Sequence, residues 1–268
     1  MTEIIDAHAH IYPEKIAEKA TRAIGDFYDI KMEMPSGVPE RLLEEGKGAG
    51  VTRFIVHSVA TTAGQVSSIN NFIYSEILKH KEFIGFMTLH PEMTEEEVFS
   101  QVALAKSRGF HGVKLHPDFQ KFYIDGENAQ KIYRAVEEIG DNFPILFHTG
   151  DNRFEYSAPA RLSEMAKKYK NVSFIGAHFG GYRRWHETDV YLGLDNVYFD
   201  TCSSLEFISP DTAKGLIEKF GAEKFFFATD FPMWDAKGEL ERFNKIKLGE
   251  KQREMIFSLN VKNLLKIK

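Results

Sequence analysis

His8 and His10 stand one residue apart in the run IIDAHAH. In an extended strand, side chains two positions apart point to the same side, so the two imidazoles can converge on one metal ion. Ile4 and Ile5 supply a short apolar run ahead of them, Asp6 and Ala7 follow, and Tyr12-Pro13 ends the strand. Two polar residues at a strand end are the plainer alternative, and the pair taken alone does not choose between the two.

Four more polar residues close apolar runs: His116 in VKLHP, His148 in ILFHTG, His178 in FIGAHFGG and Asp230 in FFFATDFP. A single histidine so placed is more often a hydrogen-bonded structural residue than a ligand. Four coincidences are harder to dismiss. Together these residues offer neutral imidazole and carboxylate donors suited to Zn²⁺ or a similar borderline divalent ion.

The elements that would carry them alternate along the chain. Runs rich in β-branched and aromatic residues predict eight strands: 4–8, 53–58, 83–89, 112–116, 145–149, 172–178, 197–201 and 225–229. Helical spacing fills 65–80, 94–108, 128–139, 159–169 and 210–220, and Thr94 with Glu97 has the form of a capping box. Nearly continuous apolar strands, each followed by a crossover helix, favour a parallel sheet covered on its faces. Eight such units predict an α/β fold of the (β/α)8 TIM-barrel type, a single domain over 1–268, better than an open doubly wound sheet. The open sheet would normally place a glycine-rich loop after the first strand, where this chain has AHAHIYPE. In a barrel the strand C-termini form one face, so all six polar residues would meet there. An irregular excursion at about 26–40, with Met32, Met34, Pro35, Gly37 and Pro39, is either a packing segment or a lid over that face.

Composition bounds the partners. A formal net charge of −5 with interspersed acids and bases gives no basic stripe for a phosphate backbone, so nucleic acid is not an expected partner. No apolar run approaches the roughly 18 residues needed to cross a membrane. The N-terminus has no signal-peptide pattern, and a lone cysteine, Cys202, fits a reducing compartment; the expected location is cytoplasmic. Cys202 has no basic sequence neighbour and reads as a small buried thiol.

The phrases HAH, GVKLHP, HTG, AHFGG and TDFP resemble the amidohydrolase superfamily, and more narrowly the amidohydrolase-related family that includes aminocarboxymuconate semialdehyde decarboxylase, resorcylate decarboxylases and several lactonases. The resemblance runs from Ile4 to NVKNLLKI near the C-terminus. It implies His8, His10, His148 and Asp230 as ligands of one divalent ion, Zn²⁺ first and Mn²⁺ second, with Asp230 and His178 as the catalytic pair. In binuclear relatives a lysine after the fourth strand is carboxylated, and Lys114 holds that place. Lys114, His116, Arg153 and Arg184 are the candidate substrate contacts, although Lys114 could equally be an ion-paired barrel residue and the arginines surface residues. His57 and His90 could lie behind the ligands.

Such an ion brings the pKa of bound water towards neutrality, with Asp230 as base and His178 stabilising charge on a carbonyl oxygen. The leading expectation is therefore hydrolysis of a small cyclic or carboxylate-bearing lactone, ester or amide. The alternatives are non-oxidative decarboxylation of an aromatic or muconate-type acid, and a catalytically silent ligand-binding barrel. A homodimer is the expected assembly only by resemblance. A nuclease of TatD type fits less well, because its glutamate after the fourth strand is replaced by VKLHP.

Overall fold

The computed structural model describes residues 3–140 and 143–268. The apolar runs form eight strands: β1 (Ile5–His10), β2 (Arg53–His57), β3 (Phe83–Thr88), β4 (Gly112–Leu115), β5 (Ile145–Phe147), β6 (Phe174–Gly176), β7 (Val197–Asp200) and β8 (Phe225–Phe226). Each pairs in parallel with the next in chain order. Hydrogen bonds from Ala7 N to Phe227 O (2.9 Å), Asp230 N to His8 O (2.8 Å) and His10 N to Phe231 O (2.7 Å) join β8 back to β1. The molecule is a (β/α)8 barrel.

Helices α1 (Glu14–Tyr28), α2 (Pro39–Ala49), α3 (Val66–Lys79), α4 (Glu95–Ser107), α5 (Pro117–Gln120), α6 (Glu127–Ile139), α7 (Pro159–Lys168) and α8 (Pro210–Phe220) connect the strands, and α9 (Ala236–Asn244) follows β8. Their starts follow local chemistry. Thr94 and Glu97 do form the reciprocal capping box, and proline with its preset φ opens α2, α7 and α8. The β6–β7 crossover is a 3₁₀ helix, Trp185–Tyr191, instead of an α-helix.

The period of two sorts the strand residues. Phe54, Val56, Val113, Leu115, Phe174 and Phe199 pack outward in the layer under the helices, whereas Ile55, Ile84, Phe86, Leu146, Ile175 and Phe226 fill the barrel. Gly112 belongs to the inner set. A Cβ there would lie 2.7 Å from the Phe86 ring and 2.7 Å from Pro144 O, and the carbonyl cannot give way. Gly112→Ala should therefore cost about 1–3 kcal/mol, seen as a lower thermal midpoint; an unchanged midpoint would contradict this packing.

Strand β1 departs from simple alternation. Ile5 and Ala7 face the barrel interior, Ala9 and Ile11 face the helices, and His8 and His10 face inward again. The reset is a bulge: Asp6 pairs with Phe54 but Ala9 with Val56, three residues against two. The histidines also lie within the strand, not beyond it, since β1 runs to His10.

The excursion is shorter than the sequence indicates. Helix α1 continues to Tyr28, where Asp29 in the left-handed region (φ 53°) stops it, and α2 already begins at Pro39. The intervening strap crosses the barrel mouth and is fixed to the chain after β8. Glu33 N and Met34 N donate to Met233 O (3.0 Å) and Pro232 O (3.2 Å), and the Glu33 carboxylate bonds Arg242 (2.9 Å) and Asp235 N (2.8 Å).

Candidate active site

The strand C-termini surround a cavity that opens to solvent. His8, His10, Lys114, His116, His148, His178 and Asp230 all line it, so the structure brings together seven of the nine residues singled out from the sequence. Its other walls are largely apolar: Ile24, Tyr28, Met32, Phe119, Tyr182 and Met233.

Three donor atoms converge on the inner side of β1. His8 Nε2 and His10 Nε2 are 3.3 Å apart, and Asp230 Oδ1 lies 3.4 Å from the first and 3.3 Å from the second. Ligand atoms about 2.0–2.1 Å from one tetrahedral ion would be separated by about 3.3–3.4 Å. The residues present therefore fit a divalent ion.

Their charge states fit as well. Burial drives His8 down to about 4, with Lys114 adding to the effect, and burial also lowers His10 and His178 and brings His148 well below the usual range. Each shift favours the neutral imidazole, the form a metal needs. Burial alone would raise the Asp230 carboxyl, but His8, a hydrogen bond with His10, and His178 hold it well below the ordinary carboxylate range. Its Oδ2 accepts a 2.6 Å hydrogen bond from Ser203 Oγ, whose oxygen in turn accepts from Trp234 Nε1 (2.9 Å).

Asp200 carries no signal that singled it out beforehand, yet it closes the apolar run VYFD as the other polar residues close theirs. Its Oδ2 is 2.7 Å from His8 Nδ1, so the ring hydrogen sits on Nδ1 and the Nε2 lone pair faces the trio. Oδ1 accepts from His178 N (2.7 Å) and from the Cys202 thiol (3.1 Å). Asp200→Asn should weaken metal binding about 10–100-fold, measured by chelator competition; an unchanged affinity would remove this role.

Lys114 is buried, with Nζ 3.0 Å from His8 Nε2, and burial lowers its pKa to about 8. It is a cation facing the trio from the barrel side. His148 lies against His178, Nδ1 to Nε2 2.9 Å, and stacks on His116 at 4.1 Å. His178 reaches inward because it adopts the left-handed backbone (φ 62°), as do Asp230 (φ 62°) and Ser203 (φ 51°). This conformation is uncommon without glycine and frequent at functional sites.

Arg153 and Arg184 do not line the cavity. Arg153 is clamped by both oxygens of Asp151 (3.0 and 2.7 Å), and Arg184 pairs with Glu155 (2.9 Å) and Glu187 (2.8 Å), so neither guanidinium points at the metal donors. His57 is buried behind the trio, its ring 4.5 Å from that of His10, whereas His90 bonds Glu92 N on the β3 loop. Cys202 is buried, and burial pushes its thiol pKa up. Tyr28, at the end of a helix and without any motif around it, contributes a hydroxyl that sequence reasoning missed.

The amidohydrolase family model matches residues 5–267. The chain belongs to the amidohydrolase family. No curated protein matches its sequence. Solved structures do. An uncharacterised TIM-barrel protein from Bordetella bronchiseptica is 18% identical with a TM-score of 0.82, covering 98% of each chain. A 5-carboxyvanillate decarboxylase from Sphingomonas paucimobilis is 14% identical, with a TM-score of 0.78 over 100% of both chains. A dihydroxybenzoic acid decarboxylase from Polaromonas, solved with manganese and 2-nitroresorcinol, is 17% identical, with a TM-score of 0.73 over 99% of this chain and 97% of that one. At these identities the likeness is one of fold. No helix among the described residues of this amidohydrolase is long and apolar enough to cross a membrane.

Proposed function

We propose that this amidohydrolase is a metal-dependent, non-oxidative decarboxylase of a small aromatic acid. The observation that carries the reading is the trio of His8 Nε2, His10 Nε2 and Asp230 Oδ1, 3.3–3.4 Å apart at the base of a cavity walled by Tyr28, Phe119, Tyr182 and two methionines. The likeness to two decarboxylases of aromatic acids supports it. His8, His10 and Asp230 would hold the ion, with His148 as the further ligand. When bound, a divalent ion of this kind, Mn²⁺ or Zn²⁺, supplies a positive anchor and electron withdrawal for a carboxylate or phenolate substrate.

The chain's own residues do the rest. Apolar walls exclude water and orient a planar ring. Asp230, ionised in the free protein, takes the proton that the phenolic acid loses on binding and returns it to the ring carbon. The carbon–carbon bond then breaks, its electron pair restores the ring, and CO₂ leaves. His178 stabilises the negative charge on the ring oxygen while this happens.

Hydrolysis of a lactone by the same residues is the second reading, favoured by the carboxylate beside the imidazoles, which could equally deprotonate a water. Incubating the manganese-loaded protein with hydroxybenzoates in D₂O separates the two. Release of CO₂ with one deuterium on the ring is expected. Lactone cleavage without CO₂ from any acid would replace the decarboxylase reading with the hydrolase, and neither reaction in a metal-replete protein would favour a binding barrel.

A further inference from the structure

Tyr28 sits at the mouth of the cavity, and the hydrogen on its hydroxyl can be placed. His116 caps α5: its Nδ1 accepts a hydrogen bond from Phe119 N at 3.3 Å. A neutral imidazole that accepts at Nδ1 carries its hydrogen on Nε2. The Nε2 of His116 is 2.8 Å from the Tyr28 oxygen, so His116 donates and the phenol oxygen accepts.

The phenol hydrogen must then point elsewhere. Its other near neighbour is His148, both of whose ring nitrogens are 3.4 Å away, too long and too evenly shared for a good O–H···N bond. His148 Nδ1 is already against His178. The hydroxyl hydrogen is thus held only by these long contacts, and a substrate oxygen in the cavity that Tyr28 lines could take it in their place. On its other side the ring is held in place by Arg153, whose guanidinium lies 5.3 Å from the Tyr28 centroid and 4.7 Å from that of Phe27, and donates to Phe27 O.

We propose that Tyr28 determines substrate specificity by donating its hydroxyl hydrogen to an anionic oxygen of the substrate, and that His116 and Arg153 are positioning residues acting through Tyr28. Two residues that the sequence assigns to the substrate become the supports of a third that touches it. This rests on reading the cavity as the active site; it does not depend on which reaction occurs there.

The test is binding of benzoate to the manganese-loaded full chain by titration calorimetry, with metal content measured in every variant. Tyr28→Phe should keep its metal and bind benzoate about tenfold or more weakly, the loss expected for one hydrogen bond to a charged group. His116→Leu should weaken binding similarly, and His116→Gln, which retains an N–H donor near the Nε2 position, should recover most of it. In the Tyr28→Phe background His116→Leu should add nothing, because its effect passes through the tyrosine. Wild-type affinity in Tyr28→Phe, an equal further loss in the double variant, or no benzoate binding by the metal-loaded wild type would each overturn the proposal. Turnover is not the readout, so a failure here is distinct from a failure to release CO₂.

Discussion

Asp230→Asn is expected to keep the bound metal and to lose about 10²–10⁴-fold in turnover. The amide preserves the shape of the side chain, and its oxygen can still face His8 and His10, so the site should assemble. An amide cannot carry a proton from one atom to another, and that transfer is the role assigned to this carboxylate. The Ser203 hydroxyl, 2.6 Å from Oδ2, fixes the side chain from behind and would act in the same way on the variant. Metal content by elemental mass spectrometry and turnover on the best aromatic acid should be measured together. Turnover within a few-fold of wild type would take the proton-transfer role away from Asp230; loss of the metal would make it a ligand first.

Replacing His8 and His10 together with alanine should lower metal content from about one ion per chain to near zero and abolish turnover, while far-ultraviolet circular dichroism stays that of a folded barrel. The two imidazoles supply two of three converging donors, and no other contact in the trio compensates for both. The barrel should survive because β1 is held by backbone hydrogen bonds to β2 and β8, not by these rings. Lys114 and Asp230 would remain in the opened space as an oppositely charged pair, which limits the loss of stability. Unchanged metal content in this variant would refute the site.

The barrel and the residues at its mouth were legible because two patterns in the sequence are strong: eight nearly continuous apolar runs alternating with helical spacing, and polar residues placed where those runs stop. His8, His10, His116, His148, His178 and Asp230 all follow that signal, and all reach one cavity. Asp200 follows it too but has a carboxylate's usual reading as a surface charge until His8 is seen 2.7 Å away. Tyr28 was not legible. It reaches the cavity through the length of α1 and the left-handed turn at Asp29, a tertiary placement with no local pattern. Arg153 and Arg184 fall in the right loops, but nearby carboxylates, Asp151, Glu155 and Glu187, capture them, and an ion pair between loop residues cannot be read from spacing. The backbone reversals at His178 and Asp230 were likewise hidden, since the sequence at those positions gives no glycine to announce a positive φ.

The bulge in β1 also bears on how such a site could be moved. Ile5 and Ala7 plug the barrel while His8 and His10 open upward from the same edge of the same strand, and only the extra residue between Asp6 and Ala9 allows both. Grafting the HAH tripeptide onto a regular barrel strand that already presents an apolar plug at the alternate positions would bury the imidazoles among the helices. A transplanted site must bring its irregularity with it or give up one plug residue: deleting Ala7 should leave Ile5, His8 and His10 all inward on a regular strand, at the cost of the second plug.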